Sequence, residues 1–255
     1  MFQRYKKNFF SQNGEDGIIL EILKRLKLKQ KNKWCCEFGA WDGIHGSNTF
    51  NLIKKRDYNA VYIEGDFKKY QDLLRTKKEY KKIVSFNKYV SYKRSSHNTL
   101  DKILKKTKIN KDFDILSIDI DSFDLAVWKS VKKFRPKIVI IEINSGIPPG
   151  IKQTHGRGKI GNSFTSTVEF AKKNKYQLVC HTGNCIFIDK KYSKKLKIPK
   201  KFLNNRNVDL LFDTTWFNKK ENVLKKILKI LLHKKIIELL RNINNSLLGY
   251  LDGKK

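Results

Sequence analysis

Cys36-Glu37-Phe38-Gly39-Ala40-Trp41-Asp42-Gly43 changes character at its midpoint. The apolar run 34–38 ends abruptly in Gly39, and Gly43 follows four residues later. This reads as a short buried strand entering a turn. Such a strand delivers Glu37 and Gly39 to its carboxyl end, where open α/β sheets bind ligands beside a switch point. Gly39 and Gly43 let the backbone turn sharply and approach a ligand without a Cβ in the way. They spell neither GxGxxG nor a P-loop, which speaks against NAD and ATP. A pyrophosphate would call for helix N–H groups and no carboxylate, whereas acids here suit a cationic ligand such as a sulfonium with its ammonium group.

Working outward, apolar residues at helical spacing predict a helix over 14–28, and further helices are expected at 48–55, 67–77, 98–105, 125–132 and 165–173. Strands are expected at 60–64, 82–86, 113–118 and 137–143. The alternation implies right-handed βαβ crossovers and a mainly parallel sheet, covered on both faces. After the Gly/Pro-rich segment 145–161, strands at 177–181 and 185–188 flank Thr182-Gly183-Asn184 and read as an antiparallel hairpin. The expected fold class is therefore α/β: a Rossmann-like, seven-stranded, mainly parallel sheet with a C-terminal antiparallel hairpin. The second strand ends in Ile63-Glu64-Gly65-Asp66, twenty-five residues beyond Gly39. An acid there can accept both hydroxyl hydrogen bonds of a ribose. A plain strand–turn–helix would also carry the first loop's glycines; two loops in register argue for a site.

Several of these stretches resemble the FkbM-like S-adenosylmethionine-dependent methyltransferases. The resemblance rests on Ser11-Gln12-Asn13-Gly14-Glu15-Asp16, EFGAWDG, Ser47-Asn48-Thr49, YIEGD, Thr99-Leu100-Asp101, DILSIDID, Glu142-Ile143-Asn144 and GNSFTSTVEFAKKNKYQLV, and covers about 10–189. It implies cofactor roles for Glu37, Gly39, Asp42 and Gly43 at the methionine end and for Glu64 at the ribose. Gln12 and Asn48 would lie close by, and Ala40 and Asp119 complete the expected cofactor set. One departure stands out: where many members have a Lys-Ile-Asp-Val-Glu-Gly-type fourth strand, this chain has Ser117-Ile118-Asp119-Ile120-Asp121-Ser122, followed by Asp124.

The catalytic residue is accordingly open between Asp119, Asp121 and His155. Asp119 and Asp121 are two apart, so on a strand they would share a face, and like charges so close repel unless protonated, solvated or bridged. Asp121, Glu142 and Asn144 form a candidate oxygen set for Mg²⁺ or Mn²⁺. The metal-free alternative makes one Asp the general base. His155 follows strand five in the loop Gln153-Thr154-His155-Gly156-Arg157-Gly158, where a neutral-pH base would be apt. The implied reaction is O-methyl transfer to a hydroxyl of a small or glycan acceptor, a surface polysaccharide or natural-product sugar.

The chain has 255 residues and a formal charge of +32, carried mainly by Lys spread along its length. That charge keeps a rival in view, a nucleic-acid (RNA ribose) methyltransferase, although sparse Arg and no aromatic RNA-binding motif tell against it. A third reading is an inactive, membrane-associated scaffold of the same fold; the intact acids of both loops oppose it. Cys35, Cys36, Cys180 and Cys185 show no metal spacing and read as buried reduced thiols of a cytoplasmic protein. No secretory leader or membrane-spanning run is visible. The expected domains are 1–190, the methyltransferase, and 191–255, a basic C-terminal extension. Within the extension, apolar residues over 223–243 recur at helical spacing between Lys residues. The stripe would pack on the domain, on a second copy in a homo-oligomer, or peripherally on an anionic membrane.

Overall fold

The computed structural model describes residues 2–28, 33–202 and 208–216. The chain divides into two compact units, Met1–Asp213 and Thr214–Lys255. The fold below belongs to the first. The 223–243 stripe lies outside the described residues.

In the first unit a seven-stranded sheet forms from β1 (Trp34–Phe38), β2 (Asn59–Glu64), β3 (Ile83–Asn87), β4 (Ile115–Ile118), β5 (Ile138–Glu142), β6 (Tyr176–His181) and β7 (Asn184–Asp189). The strand order is β3-β2-β1-β4-β5-β7-β6. β1 to β5 are parallel, while β7 runs antiparallel to both β5 and β6. The chain thus winds outward from β1 to β3, returns to β4 beside β1, and winds the other way. That reversal opens a crevice at the carboxyl ends of β1 and β4, where ligands of such sheets bind. The strands are buried almost end to end, as expected of a sheet covered on both faces. The hairpin turn is shorter than the sequence suggested, because Asn184 already pairs with Glu142 of β5.

Helices α1 (Glu15–Leu26), α2 (Phe50–Arg56), α3 (Phe67–Glu79), α4 (Leu100–Leu104), α5 (Asp124–Ser130) and α6 (Phe164–Lys173) link or cover the strands, and a short α7 (Lys190–Ser193) follows β7. In α1 the buried residues Ile18, Ile19, Ile22 and Leu26 recur every three or four positions and form one apolar stripe. Truncating one of them, as in Ile22→Ala, would cost about 2–5 kcal/mol. Lys27 ends the helix in the left-handed region at φ 46°, its N–H closing on the carbonyl of Leu23. Asp66 caps α3 by accepting from Lys69 N–H, and Ser163 caps α6 by accepting from Ser166 N–H.

One expectation changes. β4 stops at Ile118, so Asp119 and Asp121 sit on the turn beyond it rather than on alternating strand positions. The ladder cannot continue, because Asp121 adopts φ 56° and two N–H groups of this turn bond to Asp124. The four cysteines are buried and free, as read from the sequence. Among the described residues no helix is long and apolar enough to cross a membrane.

Candidate active site

At the end of β1, Gly39 N–H donates to the carbonyl of Ile63 on β2, and Asp119 N–H donates to the carbonyl of Phe38. Three strand ends are therefore laced together before the chain leaves the sheet. Gly39 has φ +76°, and a Cβ there would stand 1.6 Å from the Asp119 carbonyl oxygen. No other residue type permits that approach. Beyond it Trp41 (φ 45°) and Gly43 (φ 77°) complete a tight loop, closed by Gly43 N–H donating to Ala40 O at 2.7 Å.

Acids organise this loop from three directions. Glu64 Oε2 accepts from Trp41 N–H at 2.7 Å and Oε1 from Asp66 N–H at 2.8 Å, which fixes the carboxylate and leaves each oxygen a further lone pair. Asp42 turns back on its own loop, accepting from Ile44 N–H and His45 N–H and pairing with His45 Nδ1 at 2.5 Å. Burial pushes its carboxyl up, but the hydrogen bonds from His45 and the backbone outweigh this and hold it below the usual range. Glu37 is buried and accepts from Ser47 Oγ (2.7 Å), Thr49 Oγ1 (2.5 Å) and Asn48 N–H (3.0 Å). Its pKa is nonetheless raised, because burial outweighs those bonds.

The resulting cavity holds about 660 Å³, within the usual range of small-molecule sites, roughly 300–1,000 Å³. Of the expected cofactor residues, Gln12, Glu37, Gly39, Ala40, Glu64 and Asp119 line it. Asp42, Gly43 and Asn48 do not: Asp42 is spent on its own turn, while Asn48 reaches from Glu37 to Ser117 Oγ at 3.1 Å and ties β1 to β4. Gln12 arrives on an N-terminal loop that α1 holds. Asp16 Oδ2 collects the N–H groups of Phe9, Phe10 and Ser11, all within 2.8 Å. Glu15 accepts from Asn13 N–H on one oxygen, and from Thr182 Oγ1 and Asn184 Nδ2 of the β6–β7 turn on the other.

The far wall is the turn after β4. Buried Asp124 accepts from Ile120 N–H at 2.9 Å and Ser122 N–H at 3.0 Å, presenting Asp119 and Asp121 to the cavity. Oxygens of Asp119, Asp121 and Glu142 lie within 4.8 Å of one another. Burial, then the charges of Asp124, Asp121 and Glu37, raise the Asp119 pKa; burial and Asp119 raise that of Glu142. Carboxyls this close and this buried favour holding a proton between them. The group is a proton store or, ionised, an oxygen cage for a hard cation. Asn144, expected as a further ligand, instead spends its side chain on the neighbouring loop, donating to Ile160 O and accepting from Gly146 N–H.

His155 lines a smaller, adjoining cavity with Phe123, its ring 4.4 Å from that phenyl ring. His45, exposed and paired with Asp42, lines the large one. Sequence reasoning missed the wall that follows β3: Lys88, Tyr89, Ser91 and Tyr92 all face the cavity. Two tyrosines immediately after a parallel strand, on the ligand edge of the sheet, were the available signal.

A family model described as the methyltransferase FkbM domain matches residues 19–178. No curated protein sequence matches the chain. Solved structures similar to it include TrmK of M. capricolum in complex with S-adenosyl-homocysteine, 12% identical over 82% of this chain and 85% of that one, TM-score 0.43. The N-terminal domain of EvdMO1 with S-adenosyl-homocysteine bound is 9% identical over 70% of this chain and 80% of its own, TM-score 0.43. The CurJ carbon methyltransferase is 8% identical over 73% of this chain and 56% of its own, TM-score 0.47.

Proposed function

The chain belongs to the methyltransferase FkbM domain family, and on that premise we propose that it moves the methyl group of S-adenosylmethionine to a hydroxyl oxygen of a small or glycan acceptor. The observation that carries this reading is one cavity walled by the acidic ends of β1 and β2, with Gly39 packed against the Asp119 backbone. The donor chemistry fits. The free lone pairs of Glu64 suit two ribose hydroxyls, and the negative field of Glu37 and Asp119 suits a cationic sulfonium. When bound, the cofactor supplies an electrophilic methyl group.

The chain's own task is to orient the acceptor and remove its proton. Asp119 and Asp121 stand on the cavity wall and are the candidate bases; His155 would act from the adjoining space. If a divalent cation takes part, Asp119, Asp121 and Glu142 are the residues that would hold it, and it would lower the pKa of acceptor hydroxyls. The acids face a ligand that is not a polyanion, so the cavity favours a sugar-sized acceptor over RNA. A role in polysaccharide synthesis within the cytoplasm accords with that chemistry.

The decisive experiment is calorimetry of the full chain with S-adenosylhomocysteine. We expect binding by the wild type and a loss of about ten- to a hundredfold in Glu64→Ala, which removes charged acceptors. Glu64→Gln should fall between them. Absence of binding by the wild type would overturn the reading.

A further inference from the structure

Next to the large cavity lies a second one of about 220 Å³. Tyr92 and Phe123 line both, their ring centroids 4.9 Å apart, so the two spaces share an aromatic wall. At this volume the smaller space is below the usual range for a whole ligand and suits one end of a longer molecule.

Its chemistry is the opposite of its neighbour's. Glu37, Glu64, Asp66, Asp119 and Asp121 line the large cavity, whereas the lining of the small one contains no carboxylate. Asn162 lines it and is 1% exposed. His155 N–H donates to Asn162 Oδ1 at 3.4 Å, which fixes the orientation of the amide. Asn162 Nδ2 then has no hydrogen-bond partner among the described residues. A buried amide donor is almost always satisfied, so this one points to a ligand. His155 Nδ1 accepts from Gly161 N–H at 3.2 Å, so the neutral ring carries its proton on Nε2 and is a second donor. Thr154 adds a hydroxyl and Lys129, exposed on α5, a cation.

We propose that this smaller cavity anchors a carboxylate-bearing sugar, its carboxylate taken by Asn162 Nδ2 and Lys129 Nζ, while the rest of the sugar passes the Tyr92–Phe123 wall toward Asp119. The proposal rests on the methyl-transfer reading and names its acceptor class: a lining with amide, ring and hydroxyl donors, one cation and no carboxylate selects an anionic oxygen group. A neutral sugar would make no use of the Lys129 charge, and an RNA acceptor would bring phosphates to the acid-lined side.

The probes are D-glucuronate and D-glucose, titrated calorimetrically into the full chain with and without S-adenosylhomocysteine. Glucuronate should bind at least about tenfold more tightly than glucose. Lys129→Gln, an exposed change, should remove most of that preference. Asn162→Asp, which keeps the oxygen facing His155 N–H and replaces the donor by a second oxygen, should weaken glucuronate at least about tenfold. Both variants should keep their affinity for S-adenosylhomocysteine. If neither sugar binds, if both bind equally, or if Lys129→Gln leaves the preference intact, the proposal is wrong. Should Asn162→Asp not fold, Lys129→Gln decides alone. Glucuronate preference without S-adenosylhomocysteine binding would overturn the methyltransferase reading and keep the subsite; the reverse pattern would do the opposite.

Discussion

Replacing Gly39 by Ala puts a methyl group where the Asp119 carbonyl oxygen already stands, at a φ that side chains avoid. Relief requires parting β1 from the turn after β4, so Gly39→Ala should cost at least about 2 kcal/mol and abolish cofactor binding. A thermal melt unchanged from wild type would refute this. The Asp119–Glu142 pair makes a second residue-scale prediction. Burial and the neighbouring carboxylates, Asp124 foremost, push Asp119 up to about 7, and burial with the charge of Asp119 pushes Glu142 up to about 9, so the folded state keeps a proton that the unfolded chain has lost near the ordinary carboxylate range. The unfolded state then binds fewer protons, and stability falls as pH rises through that window. Glu142→Gln should flatten the fall, and Mg²⁺ or Mn²⁺ should offset it if the trio binds metal; a pH series of melting temperatures with and without EDTA reads both. Glu37 and Glu64 were legible in the sequence because each is an acid at the end of a short apolar strand. The task of Asp124 was not, since a carboxylate that gathers N–H groups of the turn before it looks, in sequence, like any acid opening a helix.

The β6–β7 hairpin carries a titratable group of its own. His181 Nδ1 accepts from Asp213 N–H at 3.0 Å, so its proton sits on Nε2 and donates to Ser145 Oγ at 2.8 Å. Protonation would set an N–H against an N–H. Burial accordingly pushes the pKa of His181 down to about 4, from an ordinary 6.5. Between those values the unfolded chain binds a proton that the folded one refuses, so stability is full above about 6.5 and drains as pH falls toward 4, by about 3 kcal/mol. His181→Gln, with one donor and one acceptor, should lose that slope; an unaltered slope would place the acid sensitivity elsewhere. Among the elements, β1 was legible to the residue, because its apolar run is bounded by a Lys-rich stretch and a glycine. β4 was drawn too long: Phe113 and Asp114 are buried like strand residues, yet the paired run starts at Ile115. The helix ends drifted by up to two residues, since caps such as Thr49 and Thr99 make no side-chain bond that would mark them.

The charge of +32 is a property of the whole molecule, 56 Lys and Arg against 24 Asp and Glu, so ion pairs among the described residues leave most cations uncompensated. Some of these pairs, such as Arg75–Asp72 and Lys152–Glu169, are exposed and worth little, whereas Lys137–Asp114 is largely buried. Self-repulsion should therefore make the fold more stable in salt: the melting temperature should rise between low ionic strength and about 0.3 M NaCl, where the Debye length is under about 8 Å. A fall or no change would mean that the cations are locally compensated. All the cavity residues named above lie within Met1–Asp213. A chain truncated after Asn222 should thus keep its cooperative melt and its S-adenosylhomocysteine affinity, and loss of both would make the C-terminal extension part of the core. The switch point was visible in the order of strands and helices, whereas the wall after β3 and the second cavity arise from packing between distant loops that no local pattern encodes. One tie has a consequence in time. Glu15 bonds to Thr182 and Asn184, 167 and 169 positions downstream. During synthesis the first strands can pair as they leave the ribosome and Asp16 can already gather the loop that carries Gln12, but the tie from Glu15 to the sheet is not made until the hairpin emerges. The nascent protein therefore fixes the Gln12 side of its binding pocket last, and a stalled or nonsense-truncated product ending before the hairpin is a sheet whose pocket lacks that tie.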